Sequence, residues 1–197
     1  MLPGTDRPIV FVEGTEPALR WKTFASRLIA FAEATRASMV VTMGALLADV
    51  PHTRPVEVYG TSDDDALVGG LQLSRSTYEG PTGIVGVLAS LCRDAGFATA
   101  SLWAAVPAYV PGAGSPKAAL ALLERLQLLL DFDIETTEVE VAALAYERQV
   151  SEMIAGDDDT AEYVLELEEH YDSADPPEES VDILLAEVEN FLRQQPD

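Results

Sequence analysis

The chain has 197 residues, of which 48% are apolar, enough for one sizeable domain with a buried core and too many for global disorder. Its formal net charge of −22 repels phosphate backbones and sets nucleic acid aside as a partner. No apolar run is long enough to span a bilayer, and the opening MLPGTDRPIVFVEG lacks the basic-then-apolar order of a secretory signal, so a cytoplasmic protein with no membrane partner is expected.

The first element is PIVFV (8–12), a continuous apolar run of the kind that forms a strand buried on both faces. After EGTE, Pro17 suits the first turn of a helix. Leu19, Phe24, Leu28, Phe31 and Ala32 then recur near a 3.6-residue period up to about Arg36. SMVVTMGAL (38–46) reads as a second buried strand. The segment VPHTRPVEVYG (50–60) holds His52, one of only two histidines, between two prolines. Each proline biases the residue before it toward an extended backbone, so PHTRP is a stiff crossing suited to displaying His52 and Arg54. PVEVYG (55–60) alternates and predicts a strand with one wetter face.

A weak helix is expected over 63–73, with the acids Asp63–Asp65 at its positive end. A glycine-rich turn then leads into a helix to about Asp94, stopped near Gly96. Cys92, the only cysteine, lies in that apolar pattern and reads as a small buried hydrophobe. FATASLWAAVP (97–107) is a fourth strand. Ser115 and Pro116 mark the N-cap and first position of the helix that follows. Strands separated by helices predict right-handed crossovers and an α/β fold: three α/β/α layers around a mostly parallel sheet.

The charge is uneven. Residues 1–130 hold 10 basic and 12 acidic residues, whereas 131–197 hold 2 and 22. The chain therefore divides into an α/β/α core (1–135) and an acidic helical appendage (136–197) packed on it. Three amphipathic helices are predicted there, over 138–154, 160–171 and 180–193. Their apolar stripes run through Val139, Ala142, Tyr146, Val150 and Met153; Tyr163, Val164, Leu167 and Tyr171; and Val181, Leu184, Leu185, Val188 and Leu192. The acids form the outer faces, as a solvated shell or as a docking surface for a basic partner.

The sequence offers no phosphate cradle, metal-spaced histidines, CxxC or nucleophile elbow, so no catalytic residue, metal or cofactor is expected. The candidates for binding sit at strand ends. Glu16 follows the first strand, His52 and Arg54 the second, and Tyr109 the fourth. In a parallel sheet these ends share one edge, where crevices form, so the four side chains are expected to converge. The plainer alternative pairs Arg54 with Glu13 or Glu16 and lets His52 cap a backbone carbonyl.

VEGTEPALRWKTF, MGALLADVPHTRPVEVYGT, YEGPTGIVGVL, SLWAAVPAYV and SPKAALALLERL occur in this order, with YVLELEEHYD and EVENFLRQQ near the end. Together they resemble the proteasome assembly chaperone 2 family, in its actinobacterial branch, from about residue 8 to 193. The resemblance implies a phosphorylase/hydrolase-like sandwich, a homo-oligomer, and protein partners such as proteasome α subunits. It adds Arg20 and Trp21 of GTEPALRW and Thr53 of PHTRP to the binding candidates. It also implies an N-terminal portion that this chain lacks, a histidine where Ala108 stands, and a docking tail of hydrophobic-Tyr-X type that RQQPD does not supply. The leading expectation is a non-enzymatic scaffold or assembly chaperone. The alternatives are a small-molecule binder or hydrolase-like enzyme using the strand-end crevice, and an acidic module reading basic polypeptide segments.

Overall fold

The computed structural model describes residues 8–62, 74–75 and 83–173. Helix α1 (Trp21–Ala34) is followed by β1 (Met39–Ala48), β2 (Val58–Ser62) and the short β3 (Ser74–Arg75). Then come α2 (Ile84–Asp94), β4 (Ala98–Pro107), α3 (Pro116–Leu130), α4 (Thr137–Ile154) and α5 (Asp158–Ser173). The strand order is β1-β4-β2-β3. The helices expected over 63–73 and 180–193 lie outside the described residues.

β4 is the centre of the sheet. Its residues on one face, Leu102 and Ala104, and on the other, Ser101 and Ala105, are all buried. Helices cover it: α2 packs on β1 and β4, α1 lies on α2, and α3 packs on β4. The result is the three-layer α/β/α arrangement, with β1 at a described edge of the sheet. β1 runs parallel to β4 from Met39 opposite Ala98 to Ala48 opposite Pro107. β2 runs antiparallel to β4, Val58 opposite Ala104, and β3 is parallel to β2. The sheet is therefore mixed, for a reason of chain length. Only residues 49–57 join β1 to β2, with no helix between them. A parallel neighbour needs a crossover of a dozen residues or more, so β2 returns the other way.

Local signals act where the sequence places them. Ser115 accepts a hydrogen bond from the Ala118 amide at 3.1 Å, with Pro116 in the first turn. At the end of α2, Gly96 takes φ +88°. Its amide reaches the Arg93 carbonyl at 2.8 Å, and the Phe97 amide reaches that of Cys92 at 3.1 Å, the paired closure that favours glycine. Cys92 is buried, and burial pushes its thiol pKa up.

Three expectations are overturned. Helix α1 begins at Trp21, so Pro17 is not in its first turn and Leu19, 80% exposed, is not in its stripe. Residues 8–12 form no strand: Val10, Phe11 and Val12 are all more than half exposed. Apolar character alone does not supply a strand with a hydrogen-bonding neighbour, and Pro8 has no amide to give. In α4 the buried face is Ala143, Tyr146, Val150 and Ile154, while Met153 is exposed. Both stripes pass through Tyr146 and Val150; packing on Val164, Tyr109 and Val110 selects the one that ends at Ile154.

One close approach fixes the β1–β4 register. Gly44 stands opposite Trp103, and a Cβ there would lie 2.6 Å from the indole ring. The indole nitrogen donates to Ser101 Oγ at 3.2 Å, and Ser101 Oγ lies 2.6 Å from Thr42 Oγ1 on β1. Gly44→Ala is expected to destabilise the fold by about 1–3 kcal/mol through overpacking, read by urea unfolding. Gly44→Ala combined with Trp103→Leu is expected to recover part of that loss.

Candidate functional site

Because β1 and β4 are parallel, their carboxyl ends share one edge of the sheet. The 49–57 turn leaves β1 there, and Tyr109 follows β4 at the same edge. Pro51 and His52 point inward, and His52 is only 4% exposed. The imidazole is thus not displayed, contrary to the sequence expectation. It is closed over by α4 and α5.

Polar contacts join the turn to those helices. The Tyr109 hydroxyl accepts from the His52 amide at 2.8 Å and lies 3.0 Å from His52 Nδ1. On the other side of the ring, Nε2 lies 2.9 Å from Ser151 Oγ on α4. Lys117, at the start of α3, donates to the His52 carbonyl at 2.7 Å and pairs with Glu147 of α4. Thr53 donates to the Glu168 carboxylate on α5. Arg54 grips Asp172 with a two-pronged fork, Nε and Nη2 donating at 2.8 and 2.7 Å, with Glu168 3.5 Å away. Tyr163 reaches back from α5 to Asp49 at 2.9 Å.

Aromatic edges fill the space beneath. His52 meets Tyr109, and Tyr109 meets Tyr163, each at 6.1 Å with rings near perpendicular (79° and 90°). Burial pushes the Tyr109 hydroxyl up to about 12. Burial also holds His52 below its ordinary value, with Lys117 acting the same way and the Glu147 and Glu168 charges opposing. The hydrogen bond from Arg54 holds the Asp172 carboxyl low.

The structure thus brings together His52, Thr53, Arg54 and Tyr109. It does not bring Glu16 to them. Glu16 Oε2 accepts from the Ile84 amide at 2.8 Å and so caps α2, whose own N-cap residue, Gly83, has no side chain to do it. Arg54 pairs with neither Glu13 nor Glu16, and His52 reaches hydroxyls rather than a carbonyl. Trp21 donates its indole N–H to the Pro17 carbonyl, folding GTEPALRW into a knuckle before α1. Arg20 sits in that knuckle with φ 62°, exposed and making no side-chain cap. Sequence reasoning missed Lys117, Ser151, Glu147, Glu168 and Asp172. The spacing of Glu168 and Asp172, four apart on one helix, was a visible signal for a two-carboxylate row.

The remaining crevice at this edge is lined by Pro51, His52, Arg54, Ala105, Lys117 and Tyr146, and has room for about one water molecule. Among the described residues, no three His, Cys, Asp or Glu side chains cluster as a metal site would need, and no helix is long and apolar enough to cross a membrane.

The family model described as PAC2 family matches residues 2–154. A Mycobacterium tuberculosis proteasome-assembly chaperone homologue is similar at 44% identity and TM-score 0.75, over 83% of this chain and 70% of its own. A PAC2 family protein from Streptomyces avermitilis is similar at 47% identity and TM-score 0.68, over 77% of this chain and 63% of its own. A Pyrococcus furiosus archaeal proteasome activator, 18% identical with TM-score 0.55, shares the fold over 66% of this chain and 56% of its own. The chain therefore spans between three fifths and three quarters of the two bacterial relatives. No curated protein matches it.

Removing the hydroxyl in Tyr109→Phe leaves the buried His52 amide without an acceptor and is expected to cost about 1–3 kcal/mol in urea unfolding. Asp172→Asn, at the exposed end of the Arg54 fork, is expected to leave global stability nearly unchanged while lowering amide-exchange protection in α5.

Proposed function

Since the chain belongs to the PAC2 family, we propose that it is a non-enzymatic assembly scaffold that acts through protein–protein contacts, with proteasome subunits as its partners. One observation carries this reading. The residue types that would do acid–base chemistry at the strand-end edge (His52, Tyr109, Lys117, Glu147) are spent on one another and on Ser151. A crevice with room for about one water leaves a substrate no space there. That argues for a rigid joint rather than a hydrolytic or metabolite site. The name of the mycobacterial relative supports the choice of partner.

The acidic part contributes through its field. We treat residues 1–135 as the body and 136–197 as a negative appendage that works with it, in the cytoplasm and as a homo-oligomer. Two of the body's ten cations, Arg54 and Lys117, are already engaged by that appendage. The remaining acids then favour basic segments of a partner and steer encounter.

The test mixes the purified chain with recombinant proteasome α and β subunits and follows assembly by native electrophoresis and size exclusion. The expected result is a complex with free subunits and faster ring assembly at low salt, both weakening as salt rises toward 1 M and the screening length shrinks to about 3 Å. Assembly rates identical with and without the chain at low salt, together with a metabolite retained in native mass spectrometry, would overturn the scaffold reading.

A further inference from the structure

The directions of the hydrogen bonds around His52 can be read from the donor inventory. The His52 amide is a donor, so the Tyr109 oxygen must accept from it. That oxygen can accept a second hydrogen, so the role of Nδ1, 3.0 Å away, is decided across the ring. Ser151 Oγ donates to the Glu147 carbonyl and therefore accepts from Nε2–H, which leaves Nδ1 of the neutral ring to take the Tyr109 proton. Nδ1 is therefore bare, and the proton of a neutral ring sits on Nε2, pointing at Ser151 Oγ. Ser151 in turn donates to the Glu147 carbonyl at 2.9 Å. The chain runs one way: His52 amide, Tyr109 hydroxyl, Nδ1, across the ring to Nε2–H, Ser151 hydroxyl, α4 carbonyl. Every donor has an acceptor, and only the neutral Nε2–H tautomer satisfies it.

We propose that His52 is a proton-operated latch that holds the acidic helices α4 and α5 on the carboxyl edge of the sheet. A proton added to Nδ1 turns that nitrogen into a donor facing an oxygen that already takes the backbone amide. The Tyr109 proton loses its acceptor, and a cation stands in a site only 4% exposed. The charged groups around the ring do not cancel this. Glu147 on α4 and Glu168 on α5 favour the cation, but Lys117 on α3 opposes it and binds Glu147, while Glu168 is engaged by Thr53 and faces Arg54. Tyr146 of α4 lines the same crevice, and Tyr163 of α5, whose hydroxyl pKa is raised by its hydrogen bond to Asp49, brings no charge near neutral pH. The lowered His52 pKa agrees with the geometry. Release would uncover Thr53, Arg54 and the Tyr109 face together, because all three are held by α4 and α5.

The sign follows from linkage. The docked state binds fewer protons at His52 than the released state. Docking is unaffected above about pH 6.5, the ordinary histidine value, and weakens as pH falls from there to the docked-state value. Between those limits the released-to-docked ratio rises by up to tenfold per pH unit.

The experiment uses the full chain, whose only histidines are His52 and His170. Long-range proton–nitrogen NMR reads each ring's tautomer and titration, with His170→Gln assigning the two signals. The expected result is Nε2–H for His52 at pH 7.5, a midpoint below 6.5, and loss of amide-exchange protection in 137–173 over the same pH range. An Nδ1–H tautomer, a midpoint at or above 6.5, or protection lost only near pH 4, where carboxylates titrate, would each overturn the proposal. His52→Gln keeps a donor and an acceptor without a titration and is expected to abolish the loss between pH 5 and 7; persistence of that loss also sinks the latch. Should that variant fail to fold, Tyr109→Phe serves instead, with an expected upward shift of the His52 midpoint and, in the opposing case, none.

Discussion

A buried imidazole asks for partners at both ring nitrogens, and that demand organises this end of the molecule. The two partners come from different parts of the chain, Tyr109 from beyond β4 and Ser151 from the middle of α4. His52 itself comes from the turn after β1. Its burial is thus satisfied only when three distant segments arrive together. A half-satisfied network in such a place costs more than an apolar one of the same shape. The sheet supplies the precondition. β1 and β4 are parallel and ten residues long, so their ends fall at one edge, and the nine-residue reversal to β2 leaves the turn no route away from it.

The uneven charge of the chain acquires a local meaning at the same place. The acidic helices do not merely repel one another in solvent. Arg54 and Lys117 give them two fixed cations at the carboxyl edge of the sheet, and the carboxylates that answer are Asp172, Glu168 and Glu147. The Arg54 fork is well formed but open to water on the Asp172 side, so its contribution is one of register more than of stability. Stability comes from Tyr146, Val150, Ile154 and Val164 packing beneath Tyr109 and Val110.

Much of this was legible in the residues. The apolar runs of β1 and β4, the Ser115–Pro116 start and the Gly96 stop are local signals, and local signals survive folding unchanged. The convergence of His52, Arg54 and Tyr109 followed from parallel pairing alone. What failed needed a partner that sequence order does not name. PIVFV has the composition of a strand but pairs with no strand among the described residues, and Phe11 and its flanks are exposed. Glu16 was expected at the crevice because it follows that run; without the strand it is free to cap α2. The α4 stripe was misplaced at its ends because two helical faces share Tyr146 and Val150. Asp172 as the partner of Arg54 lies 118 positions away, and nothing in either residue specifies that pairing.

The two tryptophans and most of the tyrosines sit in different places. Trp103 is wedged across Gly44 in the sheet, and Trp21 is tied to Pro17 in the knuckle before α1. Tyr109, Tyr146, Tyr163 and Tyr171, four of the six tyrosines, gather where the acidic helices meet the body. Indole emission therefore reports on the sheet and its first helix, and phenol absorbance mainly on the seam, with Tyr59 of β2 adding to it. The protein carries two intrinsic optical channels that separate loosening of α4 and α5 from melting of the sheet without any attached dye.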